Sequence, residues 1–387
     1  MNMNKEKQIE LLQHLIQIPT VDDHEKQVVD YIVKLFAPYK DKDAVRITRV
    51  PYKGDRESVV VSIGPENSDF KLGFSGHMDV VNLGDPDAWK DDPFSGKLYD
   101  NNTKMYGRGT TDMKSGLAGM VGTMLTLLEE KVPLKGELRL LATVGEETGM
   151  WGSEELTKQG YVDDLDVLVI GEDTTDLNVV YASNGDIDYT ITSYGKVAIS
   201  SSPGINALDH MLDFIHMANQ KLRTQPKIHE TLGPLVHNVT MISGGDQVNS
   251  IPGKITARGN VRINPLYTVE EVQEMLESIV SELNSWPDYK FELQYDYLGG
   301  AVDGDLQGEY VTTAKQMLDD ILGHPVKIVG EPGATDASNF VKSPSAPTML
   351  VVGPGNDSVH QIDEYVDIDE YLAAAEFYKR FAKKYLS

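Results

Sequence analysis

The sequence predicts an α/β protein whose larger domain is interrupted by a smaller α+β domain. Three observations support this prediction. Residues 1–185 alternate apolar, strand-like runs with helical patterns, which is typical of a sheet with helices on both faces. Residues 186–297 follow the order β-α-β-β-α-β, which is the split βαβ arrangement. Residues 298–387 return to the first pattern, so we expect the two outer segments to form one domain.

Hydrophobic periodicity predicts the elements of the first segment. Ile9, Leu12 and Ile16 share one face of a helix, and Val28 and Ile32 share a face of the next. Apolar runs predict four strands, at residues 58–64, 71–81, 137–144 and 166–172, with a helix at 115–130 between the second and the third. This alternation is what a helix-covered sheet requires.

The pattern changes at residue 186. Ile187, Tyr189 and Ile191 alternate with other residues, which predicts a strand with one buried face. The inserted domain is completed by a helix at 206–222, strands at 237–245 and 254–265, a helix at 268–283 and a strand at 290–298. The outer domain then resumes with a helix at 309–322, a strand at 348–355 and a C-terminal helix from about Asp367.

Composition and charge exclude several classes of protein. The net charge of −25 opposes binding to nucleic acid, whose phosphates require a basic surface, and to anionic membranes. No apolar run approaches the roughly 18 residues of a membrane span, and the polar N-terminal stretch lacks the apolar core of a signal peptide. The chain has no cysteine, which excludes disulfides and thiolate metal ligands. We expect a cytoplasmic protein without nucleic-acid or membrane partners.

Polar residues cluster around the ends of the predicted strands. His77 and Asp79 in GHMDVV point the same way, because the side chains of a strand alternate. Asp112 lies where a glycine-rich turn meets a helix, and Glu146 and Glu147 directly follow an apolar strand. Taken singly, each feature has a plain alternative: a hydrogen-bonded structural pair, a helix N-cap or a solvated loop.

Glu172 and His360 extend the set, each after a further apolar strand. Open α/β sheets place their sites at the carboxyl ends of strands, so we expect these residues to converge. Two histidines and three carboxylates without cysteine suit a pair of divalent ions such as zinc, cobalt or manganese. An Asp carboxylate bridges two ions about 3.5–4 Å apart, which leaves Glu146 free to act as a general base on water.

The motifs SGHMDVV, DPFSG, MYGRGTTDMKSG, GEETG, GED and the final H…DEY resemble those of the M20 metallopeptidase family, in order from about Leu11 to the C-terminal helix. The sequences of GRGTTDMKSG and GEETG are most similar to those of the acetylornithine deacetylase/succinyl-diaminopimelate desuccinylase branch. The resemblance implies a zinc-aminopeptidase-like catalytic domain, a mixed sheet with helices on both faces, formed by residues 1–185 and 298–387. It also implies a ferredoxin-like lid at 186–297, through which the protein would form a homodimer.

The resemblance further implies a role for each site residue. The ligands of the two ions would be His77 with Glu172 and Glu147 with His360, bridged by Asp112. The catalytic residues would be Glu146, as general base, and Asp79, which would orient His77. The cofactors would be two divalent ions, zinc first, with cobalt or manganese as alternatives. The peptide bond after Asp112 is expected to be cis.

Four residues match positions that contact substrate in the family: Arg262, Asn249, Gly333 and Thr335. Arg262 in NVRINP would hold a substrate carboxylate, a task that suits a guanidinium; a surface strand arginine is the alternative. Gly333 and Thr335 belong to EPGATDASNF, which resembles the family's glycine-rich substrate loop, with an ordinary loop as the alternative.

The sequence departs from the family at one position of the lid. The family carries a lid histidine that helps to stabilise the oxyanion, and in GKVAISSSPGINA its place is taken by Ile199. An isoleucine donates no hydrogen bond, and loss of one oxyanion donor costs about 10²–10³ in rate in other enzymes. His210 is expected on a helix surface rather than as a substitute.

We therefore predict a two-metal amidohydrolase that cleaves the amide bond of a small N-acyl amino acid or dipeptide. Succinyl-diaminopimelate desuccinylase is the first hypothesis, with acetylornithine deacetylase, aminoacylase or dipeptidase activity as alternatives. An attenuated metal-binding relative is the alternative of another class, which Ile199 supports and the intact ligand set opposes.

Overall fold

The computed structural model describes residues 3–21, 23–40 and 45–387, which form two compact units. Unit 1 comprises the chain up to Tyr181 together with Gly304–Val329 and Thr335–Ser387. Unit 2 comprises Ala182–Asp303 and Gly330–Ala334. The sequence places the inserted domain at 186–297 and assigns residues 330–334 to the outer domain, whereas the contacts group this short segment with unit 2.

The described residues form nine α-helices and twenty strands. The helices are α1 Lys5–Ile16, α2 Glu25–Phe36, α3 Lys114–Glu129, α4 Trp151–Lys158, α5 Ala207–Arg223, α6 Val269–Asn284, α7 Glu309–Leu322, α8 Ala337–Phe340 and α9 Ile368–Leu386. The strands are β1 Arg46–Pro51, β2 Glu57–Ile63, β3 Lys71–His77, β4 Leu98–Tyr99, β5 Lys104–Tyr106, β6 Glu137–Thr143, β7 Val167–Ile170, β8 Val179–Ser183, β9 Gly185–Tyr194, β10 Ala198–Ile199, β11 Ile228–His229, β12 Gly233–Pro234, β13 Val236–Gly244, β14 Ser250–Ile251, β15 Lys254–Ile263, β16 Lys290–Leu298, β17 Val302–Asp303, β18 Ile328–Glu331, β19 Thr348–Val351 and β20 Tyr365–Asp367.

The main sheet of unit 1 brings four strand ends to one edge. Its strands follow the order β1-β2-β6-β3-β7-β19-β8, and β6, β3, β7 and β19 are parallel neighbours. β1, β2 and β8 pair antiparallel, so the predicted mixed sheet is confirmed. The registers place His77 beside Thr143 and Val351 beside Ile170. The central strands are buried along nearly their whole length, which explains their continuous apolar runs.

Helix α3 carries the chain across this sheet and packs against β3, α1 and α9. Gly116 lies in its first turn, where a Cβ atom would come within 1.9 Å of the carbonyl oxygen of Gly171. Only a glycine permits so close an approach. The start of α3, two residues after Asp112, is therefore held against the end of β7, one residue before Glu172.

Unit 2 has the predicted split βαβ arrangement. Its antiparallel sheet has the order β13-β15-β9-β16, and α5 and α6 pack against one face of it. Ile187, Tyr189 and Ile191 of β9 meet Met211 and Phe214 of α5 in a single core. The alternation that predicted this strand is therefore the alternation between its buried and outer faces.

The expectation for His210 is wrong. Its ring is buried and stacks on Tyr289, with the ring centroids 3.6 Å apart. His210 lies three residues after Ala207 and four before Phe214, both of which are buried. At 3.6 residues per turn this spacing places the histidine on the core-facing side of α5.

Within the described residues, no helix combines the length and the hydropathy that crossing a membrane requires.

Candidate metal centre

The predicted ligands lie around the carboxyl edge of the main sheet. His77 is the last residue of β3, Glu147 follows β6 by four residues, and Glu172 follows β7 by two. His360 lies in the loop after β19, and Asp112 lies two residues before the start of α3. Because the four strands are parallel neighbours, their carboxyl ends converge at this edge.

Asp112 lies between the two histidines. Its Oδ1 is 2.8 Å from Nε2 of His77, and its Oδ2 is 2.9 Å from Nε2 of His360. The peptide bond that joins Asp112 to Met113 is cis, as expected. One carboxylate thus faces both imidazoles with separate oxygens, which is the arrangement of a bridging ligand.

Each histidine also faces a second carboxylate. Nε2 of His77 is 3.5 Å from Oε1 of Glu172, and Nε2 of His360 is 3.3 Å from Oε2 of Glu147. Ligand atoms of His77, Asp112 and Glu147 all lie within 4.8 Å of one another. The structure therefore brings the five residues together, with each histidine facing Asp112 and one further carboxylate. Their roles as metal ligands stay predictions.

The pKa values reflect the excess of negative charge. Burial lowers the pKa of His77, but Glu172 and Asp112 outweigh burial and raise it well above its ordinary value. Burial acts to raise the pKa of Asp112, but hydrogen bonds from His360 and His77 lower it overall. Burial raises the pKa of Glu172 to about 8, although His77 opposes the shift. Carboxylates crowded in this way are stabilised by a bound cation.

The residues fit a pair of divalent ions. Oε1 of Glu147 is buried and accepts no hydrogen bond from any residue in the described part of the chain. Such a buried oxygen is costly unless a proton or a cation satisfies it. Imidazole and carboxylate donors without thiolate are the set that zinc, cobalt and manganese accept.

Asp79 makes a different contact from the one that the resemblance implies. Nδ1 of His77 donates to the main-chain carbonyl oxygen of Asp79 at 2.9 Å, while the nearest carboxylate oxygen is 3.7 Å away. The carboxylate instead accepts the backbone N–H groups of Glu146 and Glu147, both at 3.1 Å. Because a carbonyl oxygen only accepts, Nδ1 of His77 carries a proton, and Nε2 is the nitrogen that faces Asp112 and Glu172.

Glu146 has the electrostatic setting of a base. Its removal from solvent raises its pKa well above the ordinary value, and Glu172, Asp336 and Glu147 act in the same direction, while His77 opposes them. A carboxylate with a raised pKa is a better proton acceptor near neutral pH.

Arg108 and Glu364 form a buried ion pair behind the site that the sequence analysis did not single out as functional. The guanidinium donates to Oε2 of Glu364 at 2.6 Å and to the carbonyl oxygen of His360 at 3.3 Å. Oε1 of Glu364 accepts the N–H groups of Thr111 at 2.8 Å and Asp112 at 3.2 Å. The signal available in the sequence was Arg108 of MYGRGTTD, four residues before Asp112.

Residues 73–384 match the model of peptidase family M20/M25/M40. The chain belongs to this family. It is thus an M20 metallohydrolase, and the resemblance inferred from the motifs is confirmed.

Known proteins are similar to this M20 chain over nearly its whole length. A Staphylococcus epidermidis protein named as a probable succinyl-diaminopimelate desuccinylase is 33% identical, over 99% of each chain. The structure of an M20 metallo-carboxypeptidase from Sulfolobus solfataricus matches with a TM-score of 0.80 at 17% identity, covering 98% of this chain and 99% of that one. A dinuclear metal-binding M20 peptidase from Bacillus subtilis matches with a TM-score of 0.69 at 17% identity, covering 98% of each chain.

Three of the four predicted substrate residues lie in unit 2. Nη1 of Arg262 on β15 is 3.2 Å from Oδ2 of Asp186 on β9. Asn249 is exposed in the loop before β14, and the N–H of Gly333 donates to the Glu331 carboxylate at 2.9 Å.

The fourth predicted substrate residue, Thr335, lies in unit 1. It is buried, and its hydroxyl accepts the N–H of Ala337 at 3.2 Å. The roles of all four residues stay predictions.

Ile199, which the sequence analysis matches to the family's lid histidine, is the second residue of the short strand β10. This strand pairs with β14, and the Ile199 side chain is 58% exposed. An exposed apolar side chain at this position adds no hydrogen-bond donor of its own.

Proposed function

We propose that this protein hydrolyses the amide bond of a small N-acyl amino acid, and that N-succinyl-diaminopimelate is its substrate. The observation that carries the proposal is the position of Asp112, whose two oxygens lie 2.8 and 2.9 Å from the two histidines. The family membership and the 33% identity to a protein named as a probable desuccinylase support the choice of chemistry and substrate.

The ligands divide into two sets. His77 and Glu172 would hold one divalent ion, Glu147 and His360 would hold the other, and Asp112 would contact both. Two such ions, for which we propose zinc, lower the pKa of a water molecule and polarise the substrate carbonyl. Cobalt or manganese also suits these donors.

The protein's own groups carry the proton. A carboxylate oxygen of Glu146 accepts a proton from the attacking water, whose oxygen forms a bond to the carbonyl carbon of the substrate. The C–N bond then breaks, and Glu146 returns the proton to the leaving nitrogen. The remaining proton of the attacking water passes from the new carboxylic acid to the amine. The products are therefore a carboxylate and an ammonium group, which belong to succinate and diaminopimelate for the proposed substrate. A raised pKa suits Glu146 to both steps.

Primary-amine release tests this function directly. N-succinyl-diaminopimelate, N-acetylornithine, an N-acetyl amino acid and a dipeptide would be incubated with chelated protein and with protein restored with zinc or cobalt. We expect metal-dependent turnover that is highest for the succinyl substrate. A preference for another member of the panel would assign the corresponding deacetylase, aminoacylase or dipeptidase activity instead.

Glu146→Gln provides the matched test of the base. We expect this variant to lose hydrolysis while it keeps its metal content, because Glu146 is not one of the proposed ligands. Glu154→Gln is the control, since Glu154 lies on helix α4 and forms an ion pair with Lys158, at 2.7 Å. If Glu146→Gln retained wild-type turnover, the proposed base would be wrong.

An attenuated metal-binding relative is the second candidate, and the exposed Ile199 favours it. It predicts full metal occupancy without turnover of any substrate in the panel. An Ile199→His variant separates the two candidates further, since a gain of about 10²-fold in kcat would identify a missing oxyanion donor.

We also propose a homodimer formed through unit 2, in a cytoplasmic protein. β13 is an edge strand of the unit 2 sheet, and its residues Met241 and Ile242 are both more than half exposed. An exposed apolar edge strand is a surface on which a second chain pairs.

Sedimentation of the wild type, Ile242→Lys and the control Gln294→Lys tests the dimer. Gln294 is exposed on the opposite edge strand, β16. We expect only Ile242→Lys to sediment as a monomer; a wild-type monomer would contradict the proposal.

A further inference from the structure

The carboxylate of Asp79 is fully buried and accepts two consecutive backbone N–H groups. Its Oδ1 accepts from Glu146 and its Oδ2 from Glu147, each at 3.1 Å. Both oxygens are therefore engaged by the segment that carries the proposed base and one proposed metal ligand. Hydrogen bonds to an ionised acceptor are about twice as strong as bonds between neutral groups.

The orientation of His77 does not require this carboxylate. The ring is fixed on one side by the main-chain carbonyl of Asp79, 2.9 Å from Nδ1, and on the other by Asp112, 2.8 Å from Nε2. At 3.7 Å, the separation between Nδ1 and the Asp79 carboxylate is longer than a hydrogen bond.

The segment after β6 has an irregular backbone, which hydrogen bonds such as those to Asp79 hold in place. Gly145, Gly149 and Met150 have φ values of 70°, 142° and 54°, so the chain leaves the sheet through a series of left-handed residues. The indole of Trp151 lies against this segment, because Cβ atoms at 145 and 149 would come within 2.8 and 2.6 Å of it. Between these two glycines, the Asp79 carboxylate holds the two consecutive N–H groups.

We propose that Asp79 is a positioning residue for Glu146 and Glu147, acting through their backbone N–H groups, and not the residue that orients the His77 ring. The inference rests on the proposed function, in which Glu146 is the base. This role also explains why an aspartate lies two residues after His77. The Asp79 side chain reaches the loop after the neighbouring strand β6, while the Asp79 carbonyl oxygen holds the His77 ring.

Glu364 gives a natural comparison within the same site. Its carboxylate accepts the N–H groups of Thr111 at 2.8 Å and of Asp112 at 3.2 Å. A change at Glu364 therefore releases the segment of the bridging ligand, and a change at Asp79 releases the segment of the base.

Amide hydrogen exchange of the metal-free protein tests the proposal without any turnover. We expect Asp79→Asn to speed exchange of the Glu146 and Glu147 amides by about tenfold or more, because an asparagine offers one acceptor where the aspartate offers two. Glu364→Gln is expected to leave these two amides unchanged and to speed exchange at Thr111 and Asp112. The Nδ1 nitrogen signal of His77 is expected to keep its protonated position in Asp79→Asn.

Kinetics of the metal-restored protein give the second readout. We expect Asp79→Asn to lower kcat by about 10- to 100-fold with KM changed less than about twofold, as for a misplaced catalytic group. If Asp79→Asn does not fold, Asp79→Glu, which keeps the charge but displaces the carboxylate by one methylene, carries the same expectations.

Unchanged exchange at Glu146 and Glu147, together with a shifted His77 signal, would overturn the proposal in favour of a ring-orienting role. A different result is also possible: Asp79→Asn speeds the exchange, but the wild-type protein hydrolyses no amide of the panel. This result would support the contact of Asp79 with the two N–H groups but refute its role in the proposed reaction. That result would count against the proposed function, so the two failures are distinguishable.

Discussion

Arg262 gives the sharpest test of how the substrate is recognised. The Arg262 side chain is 35% exposed, and its Nη1 lies 3.2 Å from the Asp186 carboxylate. Asp186 is itself held by Asn260 at 2.5 Å. The strand arginine is therefore anchored on one side, and its exposed part is available for a carboxylate of the substrate.

The size of the effect follows from the bond that is lost. A hydrogen bond to a charged group contributes about 1.5–3 kcal/mol, so Arg262→Met should reduce kcat/KM by about 10- to 150-fold. The loss should fall mainly on KM, because the substrate carboxylate is the same before and during the reaction. The loss of stability should be smaller, since a partly exposed ion pair contributes about 0–1 kcal/mol.

Arg258→Met is the matched control. Arg258 lies four residues earlier on β15, on the same face, is 50% exposed, and meets Asp296 at 3.4 Å. Both changes remove one positive charge, so any effect of net charge alone is equal. Amine release from N-succinyl-diaminopimelate would be measured for both variants. Equal losses, or no loss for Arg262→Met, would refute the role of Arg262 in binding substrate.

Three further predictions follow. Burial, with the charge of Arg223 adding to it, lowers the pKa of His237 from 6.5 to about 4. The folded state therefore binds fewer protons than the unfolded state between these pH values. The free energy of unfolding should consequently fall by about 3 kcal/mol as the pH is lowered from above 6.5 towards 4. Urea unfolding of the wild type against His237→Gln should show this difference, and equal slopes would contradict it. Gly116→Ala should lower the free energy of unfolding by at least about 1–3 kcal/mol and weaken metal binding, because its Cβ would lie 1.9 Å from the oxygen of Gly171; calorimetry and metal titration measure both. Chelation should lower the melting temperature, since an ion at 100 times its Kd stabilises the fold by about 2.7 kcal/mol, and a chelator-insensitive melting temperature would count against a metal centre.

Much of the fold was predictable because its signals are local. The alternation of Ile187, Tyr189 and Ile191 marks one strand of unit 2, and the continuous apolar runs mark the buried strands of unit 1. His210 shows the limit of such reasoning, since a polar residue on the buried stripe of a helix reads as exposed until its neighbours are known. Its ring is accommodated by Tyr289, which lies 79 residues further along the chain.

The clustering of the proposed ligands was predictable for a similar reason. A histidine or carboxylate near the end of each of several apolar strands is visible in the sequence, and parallel strands bring their carboxyl ends to one edge. The partners of Asp79 were not visible. Its period-two relation to His77 indicated a side-chain contact between them, whereas the structure directs the carboxylate to the N–H groups of Glu146 and Glu147.

The order of the elements, the family and the histidine and carboxylate residues proposed as metal ligands could all be inferred from the sequence alone, because periodicity and motif spacing are properties of the chain. The contacts between residues distant in the chain became known only from the folded structure. Asp79 contacts the loop of Glu146, and Arg108 contacts Glu364 and the carbonyl oxygen of His360. These contacts join residues 67 or more positions apart. They depend on strand order and register, and those of Asp79 and His360 use backbone N–H or C=O groups, which nearly every residue type presents alike and which therefore leave no mark in the sequence.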